Sequence, residues 1–162
     1  MQIKTTRFGQ LEIDDNKIIT FSNGIPGFKH LHRFFILPAG EKPDIHWLQA
    51  VDQPEVALLV IDPFKHFHGY SVNIPENDLN ELKIESPSEA LVLVTITVPR
   101  DKPQETTANL VAPIIINTRL NTARQVILSG SPYKTKHRLF QDNTQTAGTS
   151  TEKRKVSCGE GE

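Results

Sequence analysis

Hydrophobic residues in this chain come in short runs, and residues that favour turns stand between the runs. Several runs alternate apolar and polar positions, which is the period of a strand with one buried face. The runs are residues 2–7, 11–13, 17–21, 34–37, 46–51, 57–61, 70–74, 90–98, 110–116 and 125–128. Strands at this spacing predict an all-β, mainly antiparallel fold, either a small barrel or a sandwich.

The run from Ala108 to Asn117 carries Pro113 inside an otherwise apolar strand. Proline has no N–H to donate to a sheet ladder, so it belongs at an edge, a bulge or a corner. The three isoleucines that follow have no polar residue between them, which indicates cover on both faces. We therefore expect a bent strand that closes a barrel or turns a sheet corner.

The helical signal is weaker, so one or two short helices are expected. The first begins at Pro75, because proline suits a first turn, acidic residues follow it, and Leu79 and Leu82 then share one face. The second candidate, residues 131–140, has little periodicity.

The composition changes after Phe140. Residues 141–162 contain no aromatic side chain and are rich in Thr, Ser, Gly and Gln. Such a segment cannot bury enough apolar surface to offset the entropy of ordering it. We expect a single folded domain over residues 1–140 and a disordered polar tail over residues 141–162.

Charge is unevenly distributed, although the net charge is only −1. Residues 41–105 carry twelve acidic and five basic side chains, whereas residues 106–140 carry five basic side chains and no acid. Either the acidic and basic side chains are simply solvent-exposed on two faces of the fold, or the acidic ones form a surface for a basic partner. A nucleic-acid binder, including a single-strand binder on an OB-like barrel, is disfavoured because phosphate neutralisation needs a basic excess.

The chain is predicted to be cytoplasmic. It has no apolar run long enough to cross a bilayer and no signal-peptide core at its start, so no membrane contact is expected. The single cysteine, Cys158, cannot form an intrachain disulfide, which fits a reducing compartment.

Two histidine pairs, His30 with His32 and His66 with His68, have the spacing that places both side chains on one face of a strand. A cupin-like metal-binding enzyme, the alternative function, uses such a pair followed by a glutamate, and residues 69–73 supply no carboxylate. No nucleophile elbow or phosphate-binding loop occurs. We therefore predict no catalytic residue, no cofactor and no metal site.

Aromatic residues crowd the loop 62–70, in which Phe64, Phe67 and Tyr70 follow a proline. Aromatic side chains in a loop either close one end of a barrel or form a protein-binding patch. The pattern leaves both interpretations open.

Seven motifs in a fixed order carry a family resemblance. They are Phe8-Gly9, Ile19-Thr20-Phe21, Gly24-Ile25-Pro26-Gly27-Phe28, Trp47-Leu48-Gln49, Ile61-Asp62-Pro63, Asn109-Leu110-x-Ala112-Pro113-Ile114-x-Ile116-Asn117 and Gln125-Val126-Ile127-Leu128. Together they resemble the flagellar assembly factor FliW family, from roughly Gln2 to Phe140. The resemblance implies a small β-barrel-like protein without catalysis.

The resemblance also implies two partners in the cytoplasm. One is flagellin, and the other is CsrA, a small dimeric RNA-binding repressor of flagellin translation. Flagellin that accumulates would occupy the protein and leave CsrA free to repress, and export of flagellin would reverse this. Such a switch requires only that flagellin and CsrA cannot bind the protein at the same time. We expect a monomer when the protein is free, and no direct contact with nucleic acid.

Candidate binding residues follow from exposure and charge. Glu76, Asp78 and Glu81 on the predicted helix, with Asp14 and Asp15 at the first hairpin, are expected to contact the basic partner. Flagellin termini are amphipathic helices under the same resemblance, so an apolar groove is expected to receive them. The aromatic loop containing Phe64, Phe67 and Tyr70 is the first candidate groove, and residues 24–28 are the second.

Overall fold

The computed structural model describes residues 1–40, 42–140 and 155–158. Strands predominate among these residues, accompanied by one α-helix, α1 (Glu76–Leu82), and by short 3₁₀ helices such as Asp15–Lys17 and Pro63–Lys65. The strands are β1 (Gln2–Thr5), β2 (Gly9–Glu12), β3 (Ile19–Phe21), β4 (Arg33–Ala39), β5 (Lys42–Ala50), β6 (Ala57–Ile61), β7 (Ser71–Ile74), β8 (Ala90–Thr97), β9 (Thr107–Ala108), β10 (Ile114–Asn117), β11 (Thr122–Gln125), β12 (His137–Arg138) and β13 (Lys155–Cys158).

Seven of these strands form a closed barrel. Its order is β10-β11-β3-β4-β5-β6-β8, and β8 pairs with β10 to complete the ring. Strands β11 and β3 are parallel, and the other neighbours in the ring are antiparallel. The all-β barrel prediction is confirmed.

Two hydrophobic clusters lie on opposite faces of the barrel wall, because successive side chains of a strand alternate between faces. The interior cluster takes side chains from all seven barrel strands, including Phe21, Phe34 and Leu48. The exterior cluster joins the outer faces of β6, β8 and β10 to β7 and α1. The protein therefore has one hydrophobic core inside the barrel and a second core between the barrel wall and the elements packed outside it, β7 and α1.

The bend predicted at Pro113 is confirmed. Strands β9 and β10 both pair with β8, at Ala108 opposite Ile96 and at Ile114 opposite Leu93. Between those pairs the chain advances six residues against three on β8, so Pro113 lies in a wide bulge between two ladders. The three isoleucines after it are buried, as the absence of polar residues among them predicts.

The predicted helix is present but short. It begins after Pro75 and ends at Leu82, and the next residue, Lys83, caps it in a left-handed conformation with φ of 60°. Leu79 and Leu82 are buried in the exterior cluster, as expected of an amphipathic helix. The second candidate helix is wrong, because residues 131–140 contain turns and the strand β12, which pairs with β9.

The tail predicted over residues 141–162 lies outside the described residues except for β13. That segment pairs in parallel with β7, so at least these four residues are a strand rather than part of a disordered tail. Disorder stays a prediction for the others. No helix in the described part of the chain is long and apolar enough to cross a membrane.

Candidate functional site

The acidic residues predicted on α1 remain at the surface, and an arginine of the same chain contacts two of them. Glu76 is exposed, as is Glu81, whose side chain is 62% exposed. Asp78 is only 15% exposed, because Arg124 of β11 places Nε 2.8 Å from its Oδ1. Another guanidinium nitrogen of Arg124 lies 3.6 Å from Glu81 Oε1. This acidic helix surface (Glu76, Asp78 and Glu81) is therefore partly neutralised within the chain.

The end of α1 is held by the turn between β10 and β11. The side-chain amide of the buried Asn117 donates to the carbonyl oxygens of Leu82 at 2.7 Å and Lys83 at 3.2 Å. Its Oδ1 accepts the backbone N–H groups of Arg119 at 2.8 Å and Leu120 at 3.1 Å. Carbonyls at a helix C-terminus lack intrahelical partners, so Asn117 joins helix and turn in one unit.

The two predicted acidic segments flank this same turn. The hairpin predicted around Asp14 and Asp15 is wrong, because β2 pairs with β1 whereas β3 pairs with β4 and β11. Asp14 and Asp15 are exposed in the connection between β2 and β3, where Asp14 accepts the Asn16 N–H at 3.2 Å. The side chain of Asn121, in the β10–β11 turn, donates to the Asn16 carbonyl at 2.7 Å. The structure thus brings the acidic β2–β3 connection and the acidic helix surface to one end of the barrel.

The barrel is open at that end. A cavity of about 420 Å³ adjoins one of about 210 Å³, and both are lined by Ile36 and Leu91. The remaining lining residues are Asn16, Lys17, Ile19, Ile116, Thr118 and Asn121 in the larger cavity and Asp44, His46, Asp62, Lys65 and Leu93 in the smaller. We call this apolar depression with its polar rim the barrel mouth. Sequence reasoning missed it, because Ile36 and Leu91 have the pattern of ordinary core positions.

The aromatic loop folds inward instead of forming the expected groove. Tyr70 is 2% exposed, and its hydroxyl donates to the Leu110 carbonyl at 2.8 Å. Its ring centroid lies 5.5 Å from that of Phe64 and 4.7 Å from that of Tyr133. The candidate binding residue Tyr70 thus belongs to the exterior core, and its ring offers almost no surface to a partner.

Phe67 and His137 extend this packing. Their ring centroids are 6.3 Å apart, and His137 is 6.2 Å from Tyr133. The Tyr133 hydroxyl accepts the Ser71 N–H at 3.1 Å, which fastens the C-terminal part of the domain to the loop. This aromatic cluster (Phe64, Phe67, Tyr70, Tyr133 and His137) closes the core, although the half-buried Phe64 and Phe67 retain some exposed surface.

Burial shifts the pKa values of two members of the aromatic cluster. Desolvation, with a smaller contribution from Tyr133, raises the pKa of the Tyr70 hydroxyl, which stays protonated and able to donate. Desolvation, followed by the charge of Lys134, lowers the pKa of His137. The His137 Nε2 accepts the Lys134 backbone N–H at 2.8 Å, and this bond requires that nitrogen to be unprotonated.

The second candidate groove, residues 24–28, is a tight turn packed against the barrel interior. Ile25 is buried there, and Phe28 donates its N–H to the Ile25 carbonyl. Gly24 has a φ of +68°, and a Cβ at this position would lie 2.6 Å from the Lys29 backbone. Glycine is required for this close approach, so the segment is a structural corner instead of a groove.

The histidine pairs do not have the strand geometry that a cupin-like site needs. His66 and His68 lie in the turn after the 3₁₀ helix Pro63–Lys65, and His30 and His32 lie in the connection before β4. Among the residues that the structure describes, no three His, Cys, Asp or Glu side chains are grouped so as to hold a metal ion. No observation therefore favours the metal-enzyme alternative.

The fold and these surfaces define a small closed β-barrel protein with an outer acidic helix and an apolar mouth. The model of the FliW protein family matches residues 2–139. A flagellar assembly factor FliW from Moorella thermoacetica is 46% identical over 143 residues, covering 88% of this chain and 90% of the relative. One from Thermosipho africanus is 40% identical over 140 residues, covering 86% and 97%.

Structural comparison agrees with these sequence matches. A crystal structure of the flagellar assembly factor FliW superposes with a TM-score of 0.82 at 37% identity, covering 88% of this chain and 99% of that one. The chain belongs to the FliW family of flagellar assembly factors.

Proposed function

We propose that this flagellar assembly factor acts in the cytoplasm by binding two partners in turn. It binds flagellin, and when flagellin is absent it binds CsrA and relieves the repression of flagellin translation. The observation that carries the proposal is family membership across residues 2–139, which includes every strand of the barrel. The protein is a monomer when free, and it makes no direct contact with nucleic acid.

The acidic end of the barrel supports the CsrA part of the proposal. An RNA-binding protein carries basic regions, and a surface of opposite charge accelerates its association and sets its orientation. The exposed carboxylates of Glu76 and Glu81 meet this requirement on α1, and those of Asp14 and Asp15 meet it in the β2–β3 connection. Asp78 contributes less, because it is already paired with Arg124.

The barrel mouth supports the flagellin part. An amphipathic helix needs an apolar surface for one face and polar groups along the edges. Ile36 and Leu91 provide the first, and side chains such as Lys17 and Lys65 stand on the rim. We assign flagellin to the mouth because the aromatic cluster, the first candidate, is largely closed.

Calorimetric titration of the purified chain tests the CsrA part. We expect Glu76→Lys with Glu81→Lys to weaken CsrA binding about tenfold or more, and to flatten its salt dependence, because attraction becomes repulsion. Glu55→Lys with Asp101→Lys is the matched control, since it makes the same charge change at exposed acids elsewhere. Equal effects of the two double variants would exclude a specific role for the acidic helix surface.

Size-exclusion chromatography with flagellin tests the other part. Ile36→Ser is expected to abolish co-elution with flagellin, and Leu37→Ser, on the opposite face of the same strand, is expected to preserve it. If flagellin co-elutes equally with both variants, the barrel mouth is not its binding site. If wild-type protein forms no complex with either partner, the proposed function itself fails.

A further inference from the structure

Strand β7 is an edge without the usual protection. It lies outside the barrel, and in the described part of the chain the strand paired with it is β13. Natural edge strands avoid unwanted pairing through charged residues, proline, bulges or a covering segment. The sequence of β7, Ser71-Val72-Asn73-Ile74, has no charge and no proline. A covering segment is therefore the remaining means of protection.

The core fixes β7 in a form that can accept a strand. Val72 and Ile74 are 1% and 0% exposed in the exterior cluster, whereas Ser71 and Asn73 point outward. Alternate side chains thus anchor the strand to the barrel and keep its backbone extended. A strand held in this way adds an extended peptide through main-chain hydrogen bonds, as in β-augmentation.

The segment Lys155–Cys158 has this pairing in a continuous parallel register. Lys155 lies opposite Ser71, Val156 opposite Val72, Ser157 opposite Asn73 and Cys158 opposite Ile74. We infer that the edge of β7 is a peptide-acceptor site and that this segment of the same chain is its displaceable occupant. The inference is independent of the proposed function, because neither partner enters it.

Tethering explains how so short a strand occupies the site. Residues 141–154 connect the domain to β13, and fourteen extended residues span at most about 50 Å. Attachment through a linker of this length gives an effective concentration on the order of millimolar. Four residues of strand bind weakly as a free peptide, so occupancy within the chain is favoured and exchange stays rapid. The segment lies beyond residue 139, where the match to the family model ends.

The register is tested by a disulfide in the full-length chain. Asn73→Cys with Ser157→Cys, in a Cys158→Ser background, places two thiols on directly opposed residues, within the Cα separation that a disulfide needs. Asn80→Cys with Ser157→Cys is the control, because Asn80 is an exposed residue of α1. Rapid oxidation of the first pair to a cross-linked monomer, with slow oxidation of the control, supports the inference. Equal oxidation of both pairs, oxidation of neither, or a disulfide-linked dimer overturns it.

Proline substitutions test whether the edge is an acceptor. Val156→Pro and Ser157→Pro are made separately in the full-length chain, since alternate N–H groups of a strand face its neighbour. Only one of the two removes a ladder hydrogen bond, and the other serves as its control. We expect one variant to speed amide exchange within residues 72–74 about tenfold or more, whereas the Ser71 N–H, which is bonded to Tyr133, stays unchanged. A synthetic peptide of residues 152–159, at millimolar concentration, is expected to restore protection. Unchanged exchange in both variants, or no recovery with the peptide, overturns the inference.

Discussion

The sequence predicts partner binding at both the acidic helix surface and the aromatic loop 62–70, yet these two regions differ in exposure. Glu76 and Glu81 stay exposed on α1, whereas Tyr70 is almost wholly buried with its hydroxyl bonded to Leu110. A charged side chain stays at the surface because its transfer out of water is costly. Burial of a large aromatic ring in a core is favourable, because the ring is mostly apolar. Exposed charge in a sequence locates a surface more reliably than loop aromatics locate a groove.

The strongest test of this comparison replaces one side chain in each region, Tyr70 and Glu81, with alanine. Tyr70→Ala removes a buried ring and is expected to lower the free energy of unfolding by about 3–5 kcal/mol, as for other buried aromatics. Glu81→Ala is expected to change it by less than about 0.5 kcal/mol, because exposed ion pairs contribute little. Urea denaturation monitored by circular dichroism measures both. A loss below about 1 kcal/mol for Tyr70→Ala would mean that the aromatic cluster is not a core.

A second test separates the acidic helix surface from its internal cation. Arg124→Gln frees the carboxylates of Asp78 and Glu81. Because Asp78 is only 15% exposed, the loss of its partner is expected to cost about 1–3 kcal/mol in stability. If the acidic helix surface binds CsrA as proposed, affinity at low salt is expected to rise several-fold, because two more carboxylates are then uncompensated. Calorimetric titration measures this rise. Arg33→Gln, which breaks the exposed pair with Asp52, is the control and should leave the affinity unchanged.

The smallest expected effect is a pH dependence in the aromatic cluster. Because the folded chain holds the pKa of His137 below its ordinary value, the unfolded chain takes up a proton first as the pH falls. Stability should therefore be independent of this group above about pH 7 and decline as the pH falls below about 6.5, the ordinary histidine value. His137→Gln should reduce that decline in thermal unfolding scans between pH 7.5 and pH 5.5. An identical decline in both proteins would assign it to other groups.

Much of the barrel could be predicted because its signals are local. Alternation along the strands and the missing N–H of Pro113 act within a few residues, and both predictions are confirmed. The aromatic cluster could not be predicted, because the ring that covers Tyr70 belongs to Tyr133, far along the chain. The Asp78–Arg124 pair and the barrel mouth are missed for the same reason: closure of the ring brings distant strands together.

The joint at Asn117 has a consequence for engineering. Thr118, Arg119 and Leu120 form an exposed hairpin tip, the kind of site at which tags and fluorescent inserts are usually tolerated. Here the tip also carries the hydrogen-bond donors that orient Asn117 toward the end of α1. An inserted sequence would leave the barrel strands intact and weaken the hydrogen bonds that join the end of the helix to them. Reporter groups therefore belong at the connection near Asp101, which is exposed and lies outside this joint.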